Sequence, residues 1–348
     1  MSLALELVAT AARTPVGLCA RASAAAVRAG VSRLREFAFA SQTGVPFVLG
    51  TDPLLDDTTL GQARLLALLD SVLAQVLDDV GEHLADLREG IDVALVLPES
   101  RPGFAPEDVE DLVVATREQL ARAGVTARIT TGHRGHAGGL AAIHQSIAKH
   151  GDPVVLVVGL DSHHHADTLL WLESEQRLAV PGLPSGFKPG EAAAALVLTT
   201  ATVRKAWRRP CLARVVGAGV AQESLLRDSD TGSLGVALAR AVSDAAHALS
   251  LPDEAADVVY CDLNGERYRS EEWGFFALRC HRALRSLDYH APCGTWGDVG
   301  AAFGPLAAIL AVEDFRHRRT PRARALLMAG SDAGQRGAVF LEPPTRSA

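Results

Sequence analysis

The sequence is poor in cysteine and in aromatic residues, with five cysteines and 5% Phe, Trp and Tyr in 348 residues. Cys19, Cys211, Cys261, Cys280 and Cys293 are odd in number, widely spaced and form no CxxC pair. This excludes a disulfide scaffold and a structural zinc site, and it suits a reducing cytoplasm. Long apolar runs are missing too: stretches such as 153–160, PVVLVVGL, reach less than half a membrane span. The opening MSLALELVATAARTPVG has no basic start before its apolar run, so it reads as a strand rather than a signal peptide. No long basic run offsets the net charge of −7, so nucleic acid is not an expected partner. The Gly-rich strings hold no dinucleotide or phosphate-loop motif, and GxSxG does not occur.

What is present can bury a large core, since 48% of the residues are hydrophobic. At this length a single core usually splits, which predicts two domains or two fused halves. Apolar runs of strand length occur at 3–10, 92–97, 126–131, 153–160, 192–199, 212–220, 257–263, 324–330 and 337–341. Amphipathic stretches at 60–80, 106–123, 136–149, 233–249, 270–286 and 300–318 alternate with them. Continuously apolar strands separated by helices predict an α/β protein whose sheet is covered on both faces. Segments 43–58 and 181–190, rich in Pro, Gly and Asp, read as loops.

An internal repeat sharpens the domain reading. GGLAAIH at 138–144 matches GPLAAIL at 304–310, an offset of 166 residues. LALELVATA at 3–11 matches LARVVGAGV at 212–220, and VVGLDS at 157–162 matches MAGSDA at 328–333. Each match is short, but all keep the same order. They predict an N-terminal half over 1–205 and a C-terminal half over 206–348, joined near the basic 201–211 segment. Ala-rich helices and Arg in preference to Lys point to a bacterial source with GC-rich DNA.

Such a duplicated unit resembles the thiolase fold, and local strings resemble its β-ketoacyl synthase branch. GHAGGLAAIHQSIAKHGDPVVLVVGLDS at 135–162 is similar to the segment that opens with that family's nucleophile. SGFKPGEAAAALVL at 185–198 resembles the family's Gly-Phe-x-Pro-Gly-Glu turn, and TWGDVGAAFGPLAAILAVEDF at 295–315 resembles the region of its second histidine. The resemblance implies a duplicated five-layer αβαβα fold with mixed sheets, a homodimer, and acyl-thioester ligands presented on CoA or a carrier protein.

The resemblance also implies that the family's Cys, His and His positions hold His136, Asn264 and Asp298 here. An imidazole cannot replace a thiolate as a stable acyl carrier, and an ionised Asp298 would repel a developing oxyanion. The expected function is therefore a non-catalytic binding or assembly module. NGERYRSEEWGF followed by GDVGAAFGPL resembles thiolase-like proteins encoded beside bacterial type VI secretion effector genes, which implies an accessory role and an effector as partner. The alternative is an acyltransferase or thioester hydrolase using His136, Asn264 and Asp298, with a His–Asp pair activating water.

The remaining polar groups read more plainly. His133, His136 and Asp298 have poor metal-ligand spacing, so no metal and no cofactor is expected. His163, His164 and His165 read as a solvated loop, and Glu191 as a structural anion holding a turn. Glu266, Arg267, Arg269, Glu271 and Glu272 read as a capped, solvated helix face, or with Tyr268 and Trp273 as a polar interface. Cys261 and Cys280 read as structural, and Cys293 as a loop residue near the pocket.

Overall fold

Each of the nine apolar runs read as strands forms one, and all nine join the main sheet of the protein. The computed structural model describes residues 4–41, 44–183, 185–317 and 323–344. The first part of the chain forms β1 (Leu5–Arg13), α1 (Ala20–Arg28), β2 (Leu34–Ala40), β3 (Pro46–Gly50), α2 (Gly61–Ala85), β4 (Ile91–Val96), α3 (Pro106–Arg122) and β5 (Ala127–Thr130). It continues through α4 (Gly135–Ile147), β6 (Val154–Ser162), α5 (Ala166–Ser174), β7 (Glu191–Thr200) and α6 (Ala201–Ala206). Then follow β8 (Ala213–Gln222), α7 (Val236–Ala245), β9 (Val258–Cys261), α8 (Arg267–Arg279), β10 (Tyr289–His290), α9 (Cys293–Trp296), α10 (Phe303–His317), β11 (Ala325–Gly330) and β12 (Gln335–Glu342).

Ten strands join in the order β10-β9-β11-β12-β8-β1-β7-β6-β4-β5. Read outward from the central antiparallel pair β1 and β8, both arms follow one scheme. β1–β7 and β7–β6 are antiparallel, then β6–β4 and β4–β5 parallel. β8–β12 and β12–β11 are likewise antiparallel, then β11–β9 and β9–β10 parallel.

The two arms face each other across α4 and α10, which pack on strands of both. α2 and α3 cover the outer face of one arm, and α7 and α8 that of the other. The result is a five-layer α/β architecture with a mixed sheet. Its middle cluster includes Leu140, Ile143, Leu306, Ile309 and Val312, all at most 1% exposed. Burying each such side chain contributes about 1.5–3 kcal/mol. The helices cross closely because the contact is glycine on glycine. A Cβ on Gly139 would stand 2.6 Å from Pro305 Cδ, and one on Gly304 would stand 3.0 Å from Gly139 Cα.

The segment 43–58 is not wholly a loop. Pro46–Gly50 forms β3 and pairs antiparallel with β2, while Gln42 and Thr43 lie outside the described residues. Phe37, Phe47 and Leu49 pack there against Leu169, Leu172, Leu178 and Phe187. This cluster joins segments far apart in sequence, so local patterning gave no sign of it. α1 and α5 were likewise not anticipated.

Candidate functional site

His136 and Asp298 meet because α4 and the loop before α10 converge in the middle layer. Gly135 opens α4 with φ +63°, and a Cβ there would lie 2.5 Å from Glu99 Oε2. Only glycine fits that entry, and it places His136 in the first turn of the helix. Asp298 is held by its backbone: its N–H donates to Lys188 O at 2.7 Å, and Gly190 N–H donates to Asp298 O at 2.8 Å. The GFKPGE turn thus anchors the loop carrying the carboxylate.

His136 Nε2 donates to Asp298 Oδ1 at 2.8 Å, and Gly300 N–H donates to the same oxygen at 2.9 Å. Asn264 Nδ2 donates to Asp298 Oδ2 at 2.6 Å and to Glu266 Oε2 at 3.0 Å. The three sequence-singled residues therefore form one buried cluster. Burial disfavours charge on both members of the pair, yet their mutual attraction outweighs it. His136 is raised above its ordinary 6.5, and Asp298 is held well below its ordinary 3.8. Attraction thus favours the charged pair, with His136 Nε2 committed to Asp298 and His136 Nδ1 buried without a hydrogen-bond partner among the described residues.

Behind the pair, next to Cys261, Cys293 and Phe303, the remaining space is about 10 Å³, too small for a ligand. In front lies a cleft of about 340 Å³, whose wall includes Arg101, His136, His163, Trp171, Arg177 and Asp332. The solvated-loop reading of the histidine run fails here. His163 is 6% and His164 1% exposed, because β6 carries them inward against Phe187 and Phe37. His163 Nδ1 donates to Gly190 O at 3.1 Å. Burial, helped by the nearby Arg101 charge, lowers its pKa, so the ring is neutral. His165 caps α5, its Nδ1 accepting from Asp167 N–H at 3.2 Å.

The solvated-face reading of 266–272 fails for Glu266, Arg269 and Glu272. Arg177 forks onto Glu266 at 2.7 and 3.1 Å and reaches Asp332 at 2.6 Å. Arg269 bonds Asp262 and donates to Gly330 O at 2.7 Å, while Tyr268 OH donates to Asp332 Oδ1 at 2.9 Å. Arg336 Nε donates to Glu272 Oε1 at 2.7 Å. Glu266, Arg269 and Glu272 are thus buried among partners from distant segments; Arg267 and Glu271 alone form a surface i,i+4 pair. Glu191 holds a turn as read: it accepts from Arg64, from Ser162 Oγ at 2.7 Å and from Asp52 N–H at 2.6 Å.

The metal reading gains no ligands. His133 Nε2 bonds Gln145 Oε1 at 2.9 Å, and no group of three potential ligands occurs among the described residues. No described helix is long and apolar enough to cross a membrane.

No protein-family model matches the sequence, and no curated protein matches it. Solved structures do match over nearly the whole chain. The AntDE:AntF complex, a type II PKS acyl-carrier protein with its ketosynthase bound to the hexaketide, superposes at TM-score 0.80 with 11% identity, covering 99% of this chain and 100% of that one. The ketosynthase from module 6 of the Bacillus subtilis 168 bacillaene synthase gives TM-score 0.74 at 14% identity, covering 98% and 72%. An oxazolomycin ketosynthase domain of Streptomyces albus JA3453 gives 0.72 at 15%, covering 99% and 75%.

The fold is that of a ketosynthase.

On this ketosynthase fold no cysteine is poised as a nucleophile at the front cleft. Cys293 opens α9 at the filled floor, donates to Leu263 O at 3.0 Å, and is pushed by burial up to about 12. Cys261 lies buried in β9 and is pushed up the same way, while Cys280 caps the end of α8. Sequence reading missed Arg101, His163, Arg177 and Asp332 as parts of the site. The signal available was Arg101 shortly after β4 and His163 directly after β6, at the ends of neighbouring parallel strands where α/β sheets gather their sites.

Proposed function

We propose that this chain is a ketosynthase-like protein that makes no carbon–carbon bonds and acts as a binding or assembly module. The observation that carries the reading is the closed His136–Asp298 pair, with Asn264 on the second carboxylate oxygen. His136, Asn264 and Asp298 stand for the family's Cys, His and His in this reading. The site supplies no thiolate, and the His136 nitrogen that faces Asp298 is committed to that carboxylate. Incubation with acyl-CoA and acyl-carrier thioesters should release no thiol above the buffer rate. Release that disappears in His136→Ala would instead establish the alternative acyltransferase or hydrolase.

The protein partner in this reading is a carrier protein or a secretion effector. A carrier is favoured by one matching structure, in which a ketosynthase is complexed with an acyl-carrier protein. The resemblance of NGERYRSEEWGF to proteins of type VI secretion loci favours an effector, in a bacterial cytoplasmic setting. The proposal includes two duplicated halves, 1–205 and 206–348, which the matching strand order of the two sheet arms supports. It also includes a homodimer. β5 ends the sheet with alternating exposure, so its outer edge can pair with a second copy. Light scattering during size-exclusion chromatography should give twice the chain mass; a monomer contradicts that part.

A further inference from the structure

β8 sits in the middle of the ten-stranded sheet yet keeps an open edge. On one side it pairs with β12 along 214–222, a ladder that skips only Val216. On the other side it meets β1 at Ala213 and Arg214 alone. Beyond that point the two arms separate, and no loop or helix backbone bonds Val216, Gly217 or Ala218 among the described residues. β1 and β12 are buried along almost their whole length, but Val216, Gly217, Ala218, Val220 and Ala221 are only half-buried. Proteins often blunt such an edge with Pro, Lys or another charge, and VVGAGVA at 215–221 carries none of these.

A cavity of about 720 Å³ follows this edge, lined by 214–218 of β8 and by the C-terminal ends of α4 and α7, which flank the strand. It lies at the far end of α4 from the candidate site, since His144 stands eight positions after His136, about 12 Å along the axis. Five basic side chains, His144, Lys149, His150, Arg214 and His247, line it against one acid, Asp244. Lys149 bonds Asp92 at 2.6 Å and Arg214 bonds Glu342 at 2.5 Å, but neither acid lines the cavity. Asp244 stands 3.9 Å from Arg240. The three imidazoles have no hydrogen bond or ion pair among the described residues. All other lining residues are Ala, Gly, Val or Ile, with no hydroxyl or amide side chain for a sugar or a base. Unpaired strand backbone beside a basic rim matches an extended acidic peptide. A second copy would set the same basic rim against this one, and like charges across paired strands repel.

We propose that the open edge of β8 takes an extended acidic peptide of a protein partner as an added strand. Its main chain bonds the backbone of 216–221, and its carboxylates face His144, His150 and His247. This rests on the binding-module reading, to which it adds a surface and the chemistry of the partner. It is tested without acyl thioesters, so either proposal can fail alone.

The test uses the full chain and a fluorescent eight-residue peptide of alternating Glu and Val, with two control peptides. One control has Lys for Glu; the other keeps Glu and Val but is N-methylated at every backbone amide, so it cannot donate strand hydrogen bonds. In anisotropy titrations the Glu–Val peptide should bind saturably and each control about tenfold more weakly or not at all. Hydrogen exchange of 216–221, read by mass spectrometry, should slow when the Glu–Val peptide is bound. His150→Glu combined with His247→Glu, both exposed positions, should weaken binding about tenfold. Equal binding of either control, no saturable binding, unslowed exchange at 216–221, or unchanged binding to the double variant overturns the proposal. Equal slowing by inorganic phosphate, or by raising the protein concentration without peptide, overturns it too, giving the edge to a small anion or to a second copy. If the double variant does not fold, the three peptides on the unmodified chain decide.

Discussion

His136 Nε2 lies 2.8 Å from Asp298 Oδ1, joining the first turn of α4 to the loop ahead of α10 across 162 positions of sequence. The contact crosses the central layer between the two sheet arms, so it ties both arms together at the site. Removing one partner leaves the other charge buried and alone. His136→Ala or Asp298→Ala should each cost about 3–5 kcal/mol, measured by urea denaturation. A double variant should cost clearly less than the two single losses combined.

The pH dependence of that contribution follows from the two shifts. His136 is raised, so its share is complete below its ordinary 6.5 and is lost as pH climbs through the raised value. Asp298 is lowered, so its share is complete above its ordinary 3.8 and is lost as pH falls through the lowered value. The stability gap between the unmodified chain and Asp298→Asn should be widest between 3.8 and 6.5 and narrow toward alkaline pH. Denaturation midpoints of both proteins across that range check it.

The crossing of α4 and α10 predicts a steric cost. Gly139→Ala and Gly304→Ala each push a methyl group into the facing helix and should destabilise by about 1–3 kcal/mol. Gly132→Ala, where a Cβ would meet nothing within 4 Å, is the control and should change little. Thermal unfolding of the three variants tests this.

Thiol labelling tests whether the floor behind the pair is closed. Cys19 is exposed, whereas Cys261 and Cys293 sit behind the pair with thiols that burial pushes up, Cys293 to about 12. A thiol reagent on the native chain should modify Cys19 fast and those two only on unfolding. Fast modification of Cys293 mapped by peptide mass would contradict a closed floor.

The layers were largely legible in the sequence, because strands such as Val154–Ser162 are buried on both faces and read as unbroken apolar runs. The six amphipathic stretches also fell on helices, although α4 and α10, in the middle layer, are buried almost all round. The hairpin of β2 and β3 was not legible: Phe47 and Leu49 are ordered by Leu172 and Phe187, more than a hundred residues away. At the site, His136, Asn264 and Asp298 could be singled out together because a family pattern aligns them. His163 and the Arg177–Glu266–Arg269 network could not. A histidine run and a charged helix start look like solvated surface until their partners from other segments bury them. In a protein this size a charge carries no local sign of being buried.

The account rests on His136 being committed to Asp298, and the imidazole pKa of His136 measured by NMR tests that most directly. The account predicts a titration above the ordinary 6.5, lowered when Asp298→Asn removes the carboxylate charge. A His136 that titrates at or below 6.5, or one indifferent to Asp298→Asn, would leave a free base in the site and contradict the account.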